Sequence, residues 1–314
     1  MICQKLRGER LFASRVRISS SPNWNQLDAN RKMASDFDGT IALQDTGHIL
    51  FDNHGCGSAR RKILNDEIES GKRSFREVSE EMYASLNVPF ENGFEVMEKT
   101  ITLDPDFERF HKYCVSNQIP FNVISAGLKP VLRRILDGFL GEEASSHIDI
   151  VANDATISSD GANWKPVWRH ECELGHDKST SMTEARQQAE LECEDGSIPL
   201  IVFIGDGVSD LPAARHADVL FARRGLKLED YCDENNISCI PYDSFADIQT
   251  NIERIIKEDT EKTRGMGTPA LFNPRANMWR RMSSKKAVSE RFLGLCNSSF
   301  SLLTDRNDRF LAWF

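Results

Sequence analysis

Between residues 199 and 210 the sequence reads PLIVFIGDGVSD, and no other stretch narrows the possible folds as far. Leu200 to Ile204 are apolar without alternation. A strand of that kind must be covered on both faces, as in a parallel sheet flanked by helices. The Gly-Asp-Gly that follows ends the strand in a turn and sets carboxylates at its carboxyl edge, where open α/β sheets bind ligands. A helical turn beginning at Gly207 would bring Asp206 and Asp210 close together. Elsewhere the chain keeps the same rhythm. PFNVIS (120–125) is a short β run, LKPVLRRILDGFL follows with helical spacing at Val131, Leu132, Ile135, Leu136 and Phe139, and DVLFA (218–222) and SCIPY (238–242) are further strands. The pattern predicts an α/β protein with a doubly wound parallel sheet.

Residues 48–118 break that rhythm. SARRKILNDEIESG, SFREVSEEMYASLN and DPDFERFHKYCVSN read as three amphipathic helices with no strand between them. They predict a helical cap, inserted after the first strand and seated above the carboxyl edge of the sheet. The core then comprises residues 33–47 and 119–257. Residues 1–32 read as a disordered or mispredicted segment, and residues 258–314, rich in Gly, Pro, Asn, Ser and Arg, as a mostly disordered tail. The stretch before the first motif, LDANRKMAS, carries only Met33 and Ala34 as apolar neighbours. About four missing apolar side chains, at ~1.5–3 kcal/mol each, predict either a weakened central strand or an upstream segment other than the one the cell translates.

The net charge of −9 is unevenly spread: residues 1–30 carry +3 and residues 263–314 carry +6, which leaves −18 between them. An acidic body argues against nucleic acid as a ligand, because binding the phosphate backbone needs a positive surface. No apolar run is long enough to span a membrane. The eight cysteines are scattered without a CxxC pair, as in a reducing compartment, so a cytoplasmic protein is expected. The basic, serine-bearing N-terminus also resembles a mitochondrial transit peptide. Oligomeric state is not readable from the sequence.

Four elements carry chemistry: DFDGT (36–40), Ser125 followed by Ala126 and Gly127, Lys178 in GHDKS, and GDGVSD (205–210). Gathering Asp36, Asp38, Asp206 and Asp210 requires a cation, and hard oxygen ligands point to Mg²⁺. Asp36 is placed to attack phosphorus, and Asp38 to protonate the leaving oxygen and later activate water. The Ser125 hydroxyl and the free N–H groups of Ala126 and Gly127 can hold phosphate oxygens, while Lys178 offsets their charge. A DxD pair also occurs in glycosyltransferases, where it binds a metal and a nucleotide sugar, so that enzyme class is a rival. In the cap, Asp45 and Arg76 are candidate substrate contacts, and each reads equally as a helix cap or a surface pair. The histidines, His176 among them, show no ligand spacing and read as ordinary residues.

The ordered set DFDGT, Ser125, Lys178 and GDGVSD resembles the haloacid dehalogenase superfamily, in the phosphoserine phosphatase-like branch with a helical cap. Further similarity runs through SFRE (74–77), LDPDF (103–107), SAGLKP (125–130), DIVAND (149–154), GHDKS (175–179), GDGVSDLPAA (205–214) and LFARRG (220–225). These stretches look like fungal phosphatases that act on polyol phosphates. The resemblance implies a Rossmann-like core with Asp36 as nucleophile, Asp38 as acid and base, and Asp36, the Asp38 carbonyl and Asp206 as Mg²⁺ ligands supported by Asp210. It implies hydrolysis of a small phosphate ester, with polyol or sugar phosphates ahead of phosphoserine. Two other readings are a catalytically impaired homologue that binds phosphometabolites or a partner, and a phosphomutase.

Overall fold

The computed structural model describes residues 31–161, 163–193 and 197–267. The expectations for residues 1–30 and for 268–314 therefore lie outside the described residues. Seven strands form one sheet: β1 (Arg31–Ser35), β2 (Phe121–Leu128), β3 (Ile148–Ile157), β4 (Trp164–Val167), β5 (Leu200–Gly205), β6 (Val219–Arg223) and β7 (Ile240–Tyr242). Their order is β4-β3-β2-β1-β5-β6-β7. All pairings are parallel except β3 with β4. The chain winds outward from β1 in one direction through β2 and in the other through β5, which makes the carboxyl end of β1 the switch point where such sheets place their ligands.

The helices are α1 (Thr46–His54), α2 (Gly57–Glu69), α3 (Phe75–Ala84), α4 (Phe90–Thr100), α5 (Phe107–Ser116), α6 (Lys129–Leu140), α7 (Glu142–Ser145), α8 (Lys178–Glu192), α9 (Leu211–Ala214), α10 (Lys227–Glu234) and α11 (Phe245–Thr263). Side-chain alternation along β5 explains the layers. Leu200, Val202 and Ile204 join one buried cluster with Phe107, Phe110, Phe245, Ile248 and Ile252. Ile201 and Phe203 join a second with Met182, Ala189, Leu228 and Cys232. Both faces of the strand are thus apolar and covered, α5 and α11 contributing on one side and α8 and α10 on the other.

The cap differs from its sequence reading. Residues 48–118 hold most of α1, all of α2 to α4 and also α5, five helices where the periodicity suggested three. The last of these is not part of the lid. Phe107 and Phe110 of α5 lie 5.7 and 6.0 Å from the Phe121 ring of β2, and 5.0 and 5.4 Å from Phe245 of α11, so α5 belongs to the layer that covers the sheet. Within the cap, Ser74 caps α3 through a reciprocal bond with Glu77. Phe51 of α1 meets Tyr83 of α3 edge to face at 5.0 Å.

The hairpin of β3 and β4 escaped the strand reading, and it props the cap. Trp164 is buried, its indole N–H donates to the Val88 carbonyl at 3.0 Å, and its ring lies 4.6 Å from Phe90. Two further corrections concern α6 and α11. Phe139, assigned to the apolar face of α6, is 43% exposed. The core does not stop at residue 257: α11 runs to Thr263 and ends on Arg264 in the left-handed conformation.

The polar start of β1 does not prevent a central strand. Met33, Ala34 and Ser35 are buried, and the strand pairs with β5 from Arg31↔Leu200 to Ser35↔Ile204. Arg31 is itself buried, with its guanidinium 3.9 Å from the buried Asp259 carboxylate of α11. That carboxylate also accepts from the Thr263 hydroxyl and the Gly267 amide. A buried cation is tolerable when a carboxylate faces it, and here the carboxylate comes from the opposite end of the described chain.

Candidate active site

Register brings the ends of β1, β2 and β5 to one level, because Ser35 pairs with both Val123 and Ile204. Asp36 therefore leaves the sheet beside Ser125 and Asp206. Oxygens of Asp36, Asp206 and Asp210 lie within 4.8 Å of one another. Lys178, the first residue of α8, is set there by Asp177, whose side chain caps the helix by accepting from the Ser179 amide. Its ammonium contacts Asp36 Oδ2 at 2.7 Å and Asp210 Oδ1 at 2.8 Å, with only 6% of the side chain exposed. Three clustered carboxylates thus have one lysine among them, in contact with two.

The electrostatics follow from that imbalance. Burial first, and then the charge of Asp210, push the Asp36 carboxyl well above the usual carboxylate range, and Lys178 only partly reverses this. Asp206 is pushed up to about 7 by burial and by Asp210. Burial pulls Lys178 down, but Asp210 and Asp36 outweigh it and hold the ammonium above its ordinary value. Buried carboxylates that stay costly despite a paired cation make a site suited to a further, divalent one.

The candidate ligands are not equivalent. Asp210 Oδ1 is taken by Lys178, and Oδ2 accepts from the Asp206 and Gly207 amides at 3.0 and 3.1 Å. Asp210 therefore fixes the turn and the lysine from behind while its oxygens stay within the cluster formed with Asp36 and Asp206. Asp206 Oδ1 accepts from the Thr40 hydroxyl at 2.8 Å. Gly39 makes room for the other oxygen: its φ is +77°, and a Cβ there would lie 2.3 Å from Asp206 Oδ2. Gly39→Ala combines left-handed strain of ~1–2 kcal/mol with displacement of Asp206. A fall in phosphate release of about a hundredfold is expected, since a ~1 Å misplacement costs that much. Turnover assays beside a thermal melt check it, and wild-type turnover would refute the role given to Gly39.

Asp38 stands apart from the three clustered carboxylates. Its Oδ1 accepts from the Thr46 amide at 2.8 Å. Its Oδ2 faces Gly127, at 3.8 Å from where a Cβ would stand. Burial, and then the charge of Asp45, push its carboxyl up to about 7. A group poised there can give and take a proton at neutral pH. Asp45 caps α1 by accepting from the His48 amide at 2.7 Å. Arg76 is engaged elsewhere, with Glu80 at 3.3 Å, Glu171 at 3.0 Å and the Trp168 ring beneath it.

Ser125 is buried, and its Oγ accepts from the Gly127 amide at 3.0 Å. Five residues overlooked as site residues in the sequence hold this framework. The Thr40 carbonyl accepts from Arg223, which also pairs with the buried Asp104 at 2.8 Å. His176 bonds the Ser125 carbonyl, and Asn153 the Ala126 carbonyl. All five sat inside quoted stretches, DFDGT, LDPDF, DIVAND, GHDKS and LFARRG, yet nothing local marked them as supports.

Comparison with known proteins agrees with this geometry. The family described as haloacid dehalogenase-like hydrolase matches residues 33–215. The chain is 38% identical over 221 residues to Pdp3-interacting factor 1 of Schizosaccharomyces pombe, covering 70% of this chain and 94% of that protein. It is 35% identical over 223 residues to Polyol phosphate phosphatase PYP1 of Saccharomyces cerevisiae, covering 71% and 92%. A substrate-bound phosphoserine phosphatase shares the fold, with a TM-score of 0.52 at 17% identity over 70% of this chain and 96% of that one. Among the described residues no helix is long and apolar enough to cross a membrane. With its motifs inside the matched span and its relatives covered almost end to end, the chain belongs to the haloacid dehalogenase-like hydrolases and is a phosphatase.

Proposed function

We propose that the protein hydrolyses a small polyol or sugar phosphate in the cytoplasm, with Mg²⁺ bound and through a phosphoryl group carried on Asp36. The observation that carries this reading is the pairing of Asp36 with Lys178 at 2.7 Å across from Asp38, whose carboxyl stands at about 7. Asp36 and Asp206, with the Asp38 main-chain carbonyl, would hold the ion, which supplies positive charge to the carboxylates and the phosphoryl oxygens.

The chain's own residues do the rest. A carboxylate oxygen of Asp36 forms a bond to phosphorus as the ester P–O bond breaks, and protonated Asp38 gives its proton to the leaving alkoxide. Asp38, now a carboxylate, takes a proton from water, whose oxygen attacks phosphorus. The bond to Asp36 breaks, and inorganic phosphate leaves. Throughout, Lys178 balances charge and the Ala126 amide and the Ser125 hydroxyl face the phosphoryl oxygens; the Gly127 amide, expected to be free for phosphate, instead holds Ser125 Oγ.

Charge in the cap favours a neutral substrate tail. Arg60 pairs with Glu81, Arg61 with Asp52, Arg73 with Glu67 and Glu81, and Arg76 with Glu80 and Glu171. A phosphoserine carboxylate would have to displace one of these partners, whereas hydroxyls would not. The name of the budding-yeast relative supports the same choice. The test is phosphate release with Mg²⁺ or with EDTA across ribitol and sorbitol phosphates, other sugar phosphates, phosphoserine and phosphocholine. Mg²⁺-dependent turnover is expected, fastest on a polyol or sugar phosphate. Fastest turnover of phosphoserine would overturn the substrate class, and transfer to substrate without free phosphate would make the protein a mutase.

A further inference from the structure

The Ser125-Ala126-Gly127 stretch near the end of β2 is held by two buried side chains to which the sequence reading gave no role. His176 Nδ1 lies 2.6 Å from the Ser125 carbonyl oxygen, and its Nε2 lies 2.7 Å from the Ser181 hydroxyl. A carbonyl can only accept, so Nδ1 carries the proton and Nε2 accepts from Ser181. Burial holds the ring's pKa down to about 4, so at neutral pH the imidazole is uncharged and this tautomer is the stable arrangement. One residue on, Asn153 donates its Nδ2 to the Ala126 carbonyl at 2.8 Å, and its Oδ1 accepts from the Arg169 amide at 3.0 Å. That carbonyl and that amide fix which way round the Asn153 side chain sits. His176 and Asn153 are 3% and 0% exposed.

Two consecutive peptide carbonyls are therefore held from the protein interior. A trans peptide is planar, with its C=O and N–H pointing in opposite directions. Holding the Ser125 carbonyl turns the Ala126 N–H away from His176. Holding the Ala126 carbonyl turns the Gly127 N–H away from Asn153, and it is found directed to Ser125 Oγ. The Ser125 hydroxyl, whose Oγ the Gly127 amide fixes, and the Ala126 amide are thus oriented before any anion arrives, so their reorganisation cost has been met in the fold. His176 itself lies two residues before Lys178, the first residue of α8.

We propose that His176 and Asn153 are positioning residues, which set the direction of the Ala126 amide and of the Gly127 amide that fixes the Ser125 hydroxyl, so that the Ala126 amide and this hydroxyl receive the phosphoryl group. This rests on the phosphatase reading of the site. His176→Leu removes the donor at similar size, and His176→Asn restores one near the Nδ1 position. For His176→Leu, weakening of inorganic phosphate binding by at least tenfold is expected in titration calorimetry, with kcat/KM for the best substrate down a hundredfold or more. For His176→Asn, both are expected to return to within about fivefold of the parent, because one hydrogen bond to a peptide carbonyl is what separates the two variants.

Ser181→Ala and Asn153→Leu serve as independent variants should His176→Leu fail to fold. The first releases the tautomer lock and is expected to weaken phosphate binding about threefold at an unchanged fold. The second removes the other carbonyl clamp and is expected to match His176→Leu. Folded His176→Leu or Asn153→Leu protein that binds phosphate as the parent does would overturn the clamp and leave the phosphatase reading intact. So would an asparagine variant no better than the leucine one. A parent that neither binds phosphate nor releases it from any ester would overturn both.

Discussion

Asp36→Asn abolishes phosphate release while leaving the metal-free protein at least as stable as its parent. On the proposed mechanism the amide replaces the oxygen that bonds to phosphorus, and a loss of at least ~10³ in kcat is expected on the scale of deleted nucleophiles. Stability should move the other way. The Asp36 carboxyl is held well above its ordinary pKa by burial and by Asp210, which means its charged form is disfavoured in the fold. A group whose pKa is raised on folding stabilises at low pH and loses that contribution as pH rises through the folded value. Asp206, at about 7 against an ordinary 3.8, behaves alike. The metal-free parent should therefore lose stability between pH 4 and pH 8, and Asp36→Asn should flatten that slope. Thermal melts across this range in EDTA, beside turnover in Mg²⁺, check both halves. A variant that keeps a tenth of parental turnover would remove Asp36 from the chemistry.

Lys178→Met has the second large effect, and it falls on fold and reaction together. The methionine keeps the unbranched stem and deletes the ammonium that faces Asp36 and Asp210 at 2.7 and 2.8 Å. Leaving buried charges without their partner costs about 3–5 kcal/mol, a large share of the ~5–15 kcal/mol that holds a domain folded. The deficit should be greatest near pH 8 and shrink towards pH 4, as the Asp36 carboxyl, held above its ordinary value, takes up a proton instead. Turnover should drop by ~10² or more even where the protein is folded, since the transferred group loses its fixed cation. A melting temperature within a degree of the parent at pH 8 would show that Lys178 does not stabilise the cluster.

What could be seen in the sequence was whatever the chain writes locally. The apolar run from Leu200, the turns that follow it and the spacing in α6 are properties of neighbouring residues, and the switch-point geometry follows from them. Features that depend on distant partners were not visible. The polar start of β1 looked like a defect because Asp259, which faces Arg31, lies far along the chain. Likewise α5 has the amphipathic look of any cap helix, and only its ring contacts with Phe121 and Phe245 show which layer it covers. The antiparallel β4 is four residues long, too short for alternation to announce it. His176 and Asn153 grip main-chain carbonyls, and a carbonyl has no letter in a sequence.

The position of β1 also sets when the enzyme can first work. Asp36, at its end, is among the earliest described residues to leave the ribosome, yet one of the two strands that flank β1, β5, ends only at Gly205. At ~5–20 residues per second, that partner follows Asp36 by on the order of ten to thirty seconds. Asp259, which faces the buried Arg31, follows later still. Until then the first strand has no neighbour on that side, and the carboxylate cluster does not exist. A nascent chain is thus unable to act on phosphate esters until nearly the whole fold has been synthesised.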